Sequence, residues 1–514
     1  MGAGPVAAGP APSPGGSWKL AAAVAADTQG LVASAFGHLP CAEALFLCLS
    51  PTCSGDWLAK LRAAVPISDA SGAVDPSAAI AFTFTGLKVM GLDDAALESF
   101  STPFQEGMHQ VDRQRRLSDR PDLGAVIDGG PAWSGNTPDP VAALSGEAVT
   151  VTPATVHAVL LLYGADDAPL DAEIAKAVAV LESNGVDVCR RLRLSLRLDA
   201  DGRAREHFGF ADGMSQPVPW GDAVIAPKGA PPRDPWHAIA IGDVLMGHAN
   251  AHDEPAPGPV VQAKGARGDA GVLPAGRAPP GFCDLGLNGS YLVMRELRQD
   301  VPAFWTSMDA AAAKLGAPAI SAEALAAKVV GRTLDGDPLA PGGVIPPVGE
   351  DPANAFGFLK TDPHGMGCPL GSHIRRANPR DGLAPTAAAG PDLLTAANNH
   401  RILRRGRKFG PGIADPRTPD GQDRGLLFMC LNTDLVRQFE FVQQTWLLNQ
   451  AFATLFNEID PLMGKAGPFT IPTDPLRRKA LLETYIRFAG GEYFFLPSLP
   501  ALDYLATLPG AAKP

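Results

Sequence analysis

The sequence contains no Cys-x-x-Cys pair, no His-Glu-x-x-His helix, no Gly-x-Ser-x-Gly elbow and no loop ending in Gly-Lys-Ser/Thr. Zincin, serine-hydrolase and P-loop chemistries lose their signatures with them. Its seven cysteines, Cys41, Cys48, Cys53, Cys189, Cys283, Cys368 and Cys430, are odd in number and scattered. That usage suits a reducing compartment and no disulfide frame.

Excess positive charge is missing too. A net charge of -11 over 514 residues repels nucleic acid and anionic membrane, so neither is an expected partner. Apolar runs such as Ala44 to Leu49 and Val159 to Tyr163 fall far short of the roughly 20 residues of a membrane-spanning helix. The first residues have neither a basic start nor a continuous apolar segment, so export is not expected and the chain reads as cytoplasmic.

What is present is 46% apolar composition, enough for a proper core. Alanine, glycine and proline dominate residues 1–17, and residues 1–26 are expected to be a disordered lead-in, with order beginning near Asp27. Short apolar runs at Ala44 to Leu49, Ala79 to Thr85 and Thr155 to Tyr163 alternate with helix-like Asp56 to Val65 and Leu170 to Leu181. The strictly alternating RRLRLSLRLD, Arg190 to Asp199, closes the set as a half-buried strand. Strand, helix, strand, strand, helix, strand is the split βαβ order of a ferredoxin-like unit with an antiparallel sheet.

The second half repeats the plan with strands at Asn288 to Leu297, His400 to Arg405, Gly425 to Leu431 and Glu492 to Leu496, and helices at Asp300 to Leu315 and Val436 to Phe456. The expectation is an α+β chain of two ferredoxin-like halves, residues 27–249 and 281–510. A Pro/Gly/Ala-rich connection, 250–280, joins them, and insertions fall near 331–352 and 384–397. Such loops are expected to pack poorly.

Three stretches carry candidate chemistry. GFADGMSQP, Gly209 to Pro217, holds Asp212 on a turn between glycines; GSHIRRANPRD, Gly371 to Asp381, holds His373; HRILRRGRKFG, His400 to Gly410, holds Arg404. Singly, each passes for a turn acid, a surface histidine or a solvated basic face. GMGCPLG, Gly365 to Gly371, has the wrong spacing for a dinucleotide loop and reads as a plain loop.

Together the three closely resemble the dye-decolorizing peroxidase family of haem enzymes, in its larger, late-diverging members. The resemblance runs from about Gln29 through Leu508. It takes in GHLPCAEALFL, AFTFTGLKVMGL, NGSYLVMRELRQDVPAFW, RGLLFMCLNTDLVRQFEFVQQTW and GGEYFFLPSL.

The resemblance implies one non-covalent haem b per chain in the C-terminal half, with no Cys-x-x-Cys-His for covalent attachment. It implies reduction of hydrogen peroxide to water and oxidation of organic donors such as dyes and phenols through ferryl intermediates. His373 matches the proximal iron ligand, Asp212 the distal acid of Gly-x-x-Asp-Gly, and Arg404 the distal arginine, with Arg405 and Arg401 as rivals.

Asp460 resembles the acid behind the ligand histidine, with Glu458 as fallback. Leu426 and Phe428 resemble the distal wall, and Arg375 or Arg376 is expected at a haem propionate. A carboxylate base works at lower pH than an imidazole, which gives an acidic optimum. A haem-binding or iron-release protein with little turnover is the alternative, and a homodimer or higher homo-oligomer is left open. Trp220, Trp236, Trp305, Trp446, Tyr291 and Tyr493 are candidates for electron relay to the surface, unranked by sequence.

Overall fold

The computed structural model describes residues 18–511 apart from 52, 73, 136–153, 197, 200–201, 226–233, 341–351 and 475. Strands Cys41–Leu49 (β1), Ser77–Phe82 (β2), Ala158–Gly164 (β3) and Val186–Ser195 (β4) lie in the order β4-β1-β3-β2, all antiparallel. Helices Asp56–Ala64 (α1) and Asp167–Glu182 (α2) supply the crossovers. Their buried stripes, Trp57, Leu58 and Leu61 on α1 and Leu170, Ile174, Ala177 and Leu181 on α2, recur at helical spacing and cover one face of the sheet.

The second unit repeats this order. Ser290–Gln299 (β5), Leu403–Arg404 (β6), Arg407–Phe409 (β7), Gly425–Asn432 (β8) and Ile486–Leu496 (β9) run β9-β5-β8-β7, with β6 also paired to β8. Helix Val301–Lys314 (α3) makes the first crossover. A wide-turn helix in two pieces, Val436–Glu440 and Val442–Leu447, makes the second.

The two sheets close on each other. Phe495 of β9 pairs with Phe82 of β2, and Lys408 and Phe409 of β7 pair with Ser195 and Leu194 of β4, so one ring of strands runs through both units. Alternation along each strand then decides the core. Ala44, Phe46, Leu161, Met294, Leu427, Met429 and Phe494 fill the inside of the ring, while their neighbours in sequence pack outward under the helices.

The run GGEYFFLPSL finds a steric reason here. A bulge in the β5–β9 pairing falls between Glu296 and Leu297, and opposite it Gly490 lies against the indole of Trp133. A Cβ on Gly490 would stand 2.4 Å from that ring. The indole is held there by its N–H, which donates to Glu296 Oε2 at 2.9 Å.

Several expectations need correction. Within the supposed lead-in, Ala22–Asp27 is a helix and Lys19–Leu20 pairs with Val224–Ile225; residues 1–17 lie outside the described residues. The connection 250–280 is packed, since Val260–Gln262 pairs with Phe282–Asp284 and Val261, Ala270 and Leu273 are buried. The 384–397 insertion carries a helix, Gly390–Asn398, that buries Leu394 and Ala397. Of the 331–352 insertion, 341–351 lies outside the described residues, while Arg332 bridges Pro338 and both Arg332 and Ala340 are buried.

The helix expected to reach Phe456 stops at Leu447. Arg376 stops it: its guanidinium donates to the carbonyls of Trp446 at 2.8 Å, Leu447 at 3.3 Å, Asn449 at 3.1 Å and Glu458 at 2.8 Å. Carbonyls that would have continued the helix are satisfied by a side chain instead.

Candidate functional site

The GFADGMSQP stretch is the far end of a small hairpin. Arg205 bridges Ala211, the Glu206 N–H donates to the Phe210 carbonyl at 3.1 Å, and the Asp212 N–H to the Ala204 carbonyl at 3.0 Å. Gly209 and Gly213 turn the chain with φ of +98° and +85°, a region that favours glycine. Phe208 and Phe210 anchor the tip on α3, where Phe208 stacks on Phe304 with ring centroids 4.3 Å apart. Asp212 is thereby held on a rigid turn, and its Oδ1 accepts the Gly213 N–H at 2.6 Å.

The Ser-Gln pair behind it fastens the hairpin to β6. Gln216 Oε1 accepts the Arg404 N–H at 3.1 Å, and its Nε2 donates to the Arg404 carbonyl at 3.3 Å. Ser215 accepts from Arg332 at 2.5 Å through its hydroxyl and from Arg401 at 3.3 Å through its carbonyl. The Arg404 guanidinium donates to the Met214 carbonyl, and its Nη1 stands 3.9 Å from Asp212 Oδ1. Alternation separates Arg404 from its neighbour Arg405, while Arg401 precedes the strand. Arg405 turns away to the carbonyls of Leu31 and Val32, whereas Arg404 and Arg401 line the cavity described below.

His373 begins the short helix His373–Ala377. Its Nδ1 lies 2.9 Å from Oδ2 of Asp460, which is fully buried. The turn after the interrupted helix returns Asp460 to this place, with the Asp460 N–H donating to the Leu447 carbonyl at 2.8 Å. Oδ1 of Asp460 accepts the N–H groups of Leu462 and Met463 at 3.0 and 2.8 Å.

Burial pulls the His373 imidazole down, but the Asp460 carboxylate outweighs it and holds the ring above its ordinary value. Burial likewise pushes Asp460 up, and the imidazole and N–H donors bring it below the usual carboxylate range. Glu458, the fallback, is engaged elsewhere: it accepts from the Thr470 N–H at 2.9 Å and from the Thr470 hydroxyl.

One cavity of about 270 Å³ collects these residues. His373, Asp212, Arg404, Leu426 and Phe428 all line it, with Phe439, Val442, Leu447 and Leu462 adding to the apolar wall. Leu426 and Phe428 alternate along β8 with Leu427 and Met429 of the ring core, so the outward face of β8 is cavity wall.

Arg375 is not brought here. It is buried against Phe358, with its guanidinium on the Asp362 carboxylate at 3.2 Å and the Cys368 carbonyl at 2.8 Å. Arg376 is spent on the helix end described above. The basic groups that do line the cavity include Arg332 and Arg401. Burial and the like charge of Arg404 pull Arg401 down to about 10, so it stays charged and poorly solvated.

Sequence reading also missed Glu206, Arg295 and Gln299, which share the cavity wall. Arg295 is held from behind by Asp119 at 2.5 and 2.8 Å, which gives a place to the run HQVDRQRRLSDR, His109 to Arg120. Of the aromatic candidates, Trp305, Trp446, Tyr291 and Tyr493 are buried, while Trp220 and Trp236 are partly exposed.

The donor set fits a haem. An imidazole with Nδ1 engaged leaves Nε2 for iron, the walls are largely apolar, and the poorly solvated Arg401 cation suits a propionate. No cysteine lines the cavity. Among the described residues no helix is long and apolar enough to cross a membrane.

No family model matches the chain. A dye-decolorizing peroxidase of Mycena epipterygia is 28% identical over 470 residues, 83% of this chain and 75% of that protein. The multifunctional dye peroxidase DyP2 of an Amycolatopsis species is 31% identical over 418 residues, 74% of this chain and 79% of that protein. A solved dye-decolorizing peroxidase in complex with 2,6-dimethoxyphenol aligns with a TM-score of 0.67 at 24% identity, over 94% of this chain and 99% of that one. At that identity the likeness speaks for the fold.

Proposed function

The chain belongs to the dye-decolorizing peroxidase family, and on that premise we propose that it is a haem peroxidase. It reduces hydrogen peroxide to water with electrons from organic donors such as dyes and phenols. The observation that carries this reading is that the Asp460-supported His373 and the Asp212–Arg404 pair share one cavity.

His373 would hold the iron through Nε2, with Asp460 fixing the ring and making it more electron-donating. Arg401 and Arg332 would meet the propionates. When bound, the haem supplies an iron centre that accepts two oxidising equivalents from peroxide and passes them to donors one at a time. Asp212 takes a proton from the inner peroxide oxygen and returns it to the outer one. Arg404, a fixed guanidinium with its backbone pinned by Gln216, stabilises the negative charge that grows on the leaving oxygen. Leu426, Phe428 and Phe439 exclude bulk water, which strengthens both interactions.

The haem is of the b type, one per chain, held without covalent attachment, as the cysteine-free cavity lining supports. Seven free cysteines support a reducing, cytoplasmic setting.

The test is the absorbance spectrum of haem-loaded protein before and after one equivalent of peroxide. A Soret band that shifts and then returns when dye is added supports turnover. A band that stays in place or only bleaches makes haem binding or iron release the better reading.

A further inference from the structure

Glu206 lines the same cavity as Asp212 and sits six residues before it on the same hairpin. Its carboxyl is surrounded by donors. Oε1 accepts the Phe210 N–H at 2.9 Å; Oε2 accepts the Phe208 N–H at 2.9 Å and Gln299 Nε2 at 2.6 Å. Two of these bonds clip the hairpin tip, and any acceptor of the right shape would serve them. The third is different, because Gln299 reaches over from the end of β5 in the other half of the molecule.

Gln299 is buried, and its Oε1 has no partner. The two ends of an amide are interchangeable by rotation. In one orientation Gln299 donates to an ionised Glu206; turned over, it accepts the proton of a neutral one. A side chain placed to serve both states stands beside a carboxyl that visits both. Gln299 also borders a second cleft, open to solvent, beside Arg424 and Tyr485.

We propose that Glu206 is a second proton-holding carboxyl of this site, a positioning residue that shares with Asp212 one negative charge between them. The proposal rests on the reading of Asp212 as the proton carrier. Desolvation, followed by the three N–H donors pulling the other way and the charge of Asp212, leaves Glu206 pushed up to about 7.

Other charged groups face it from every side. Arg295 on β5 is paired with Asp119, and Arg332, Arg404 and His373 stand around the cavity. Behind the hairpin, Lys408 donates to the Arg205 carbonyl, and His207 is drawn down to about 4 by burial and is neutral in the range concerned. Below neutrality Glu206 keeps its proton. Above it, Glu206 adds a second negative charge to the cavity, and proton return to the leaving oxygen slows.

Infrared titration of the haem-free protein tests the charge sharing directly. The carboxylic-acid carbonyl band of Glu206 is expected to titrate near neutral pH and to vanish in Glu206→Gln. Asp212→Asn, which leaves Glu206 and its donors in place, is expected to lower the midpoint by about one unit. In the haem-loaded enzyme the near-neutral limb of the peroxide rate is expected to disappear in Glu206→Gln and to move to higher pH in Gln299→Leu.

A band unaffected by either carboxyl substitution, or a midpoint that Asp212→Asn leaves in place, overturns the proposal. So does a limb that survives in Glu206→Gln. If the titration and its shift are seen but no variant or wild-type protein turns over peroxide, the peroxidase reading fails while the shared charge stands.

Discussion

Gln216 grips Arg404 by both of its backbone groups, accepting its N–H at 3.1 Å and donating to its carbonyl at 3.3 Å. An amide is the side chain that does both at once. Gln216→Leu keeps the volume and removes both bonds. It is expected to cost about 1–3 kcal/mol of stability and to slow peroxide reduction roughly ten- to a hundredfold through misplacement of the guanidinium. Denaturant unfolding and stopped-flow kinetics check the two parts, and unchanged kinetics would mean that Arg404 does not depend on this clamp.

Asp212→Asn preserves shape and the bond to Gly213 but abolishes the base. Haem uptake is expected to be unchanged, and the peroxide step to slow by about 10²–10⁴-fold, the usual worth of a positioned acid–base group. Dye oxidation in the wild type is expected to peak at acidic pH, as suits a carboxylate. A rate equal to wild type would remove the proton-carrier role.

Asp460→Ala leaves the His373 Nδ1–H without its acceptor. Haem affinity is expected to fall about 10–100-fold, as loss of a partner behind a metal-ligating histidine ordinarily does. Titrating haem into the apoprotein and following the Soret band measures this. Equal affinity would show that His373 needs no support.

What the chain declares locally was legible. The alternation of RRLRLSLRLD and the two βαββαβ orders are properties of short windows, and a turn acid between glycines announces itself. What depends on distant partners was not. The helix after Val436 ends because Arg376, seventy residues before Trp446, caps its carbonyls. Arg375 and Arg401 both read as basic residues in basic runs, and only tertiary packing sends one to Asp362 and the other to the cavity. Glu206 stands beside the most conspicuous motif of the sequence, yet its interest comes from Gln299, ninety-three residues away.

Gly490→Ala places a methyl into the Trp133 indole. The indole is buried and tied to Glu296, so it yields little. Overpacking is expected to cost about 1–3 kcal/mol, read by denaturant unfolding, with haem binding unchanged. The same substitution in a Trp133→Leu background is expected to cost less, and equal costs in both backgrounds would place the strain elsewhere.

His109 is expected to contribute to the loss of stability in acid. It is buried behind the cavity wall, its Nε2 has no partner, and desolvation followed by the charge of Arg295 pulls it down to about 3. An imidazole depressed in the folded state contributes stability that is present above its unfolded pKa of about 6.5 and is lost as pH falls through the folded value. Between those limits the unfolded chain gains a proton that the folded one refuses, a penalty on the order of 4 kcal/mol by pH 3. His109→Leu removes the titrating group and, with Nε2 already unpaired, forfeits no hydrogen bond from that atom. Urea unfolding at pH 4 and pH 7 is therefore expected to show a smaller acid loss in the variant than in the wild type. Parallel losses would assign the acid sensitivity to other groups, and a dye oxidation that works best in acid would then not be limited by this histidine.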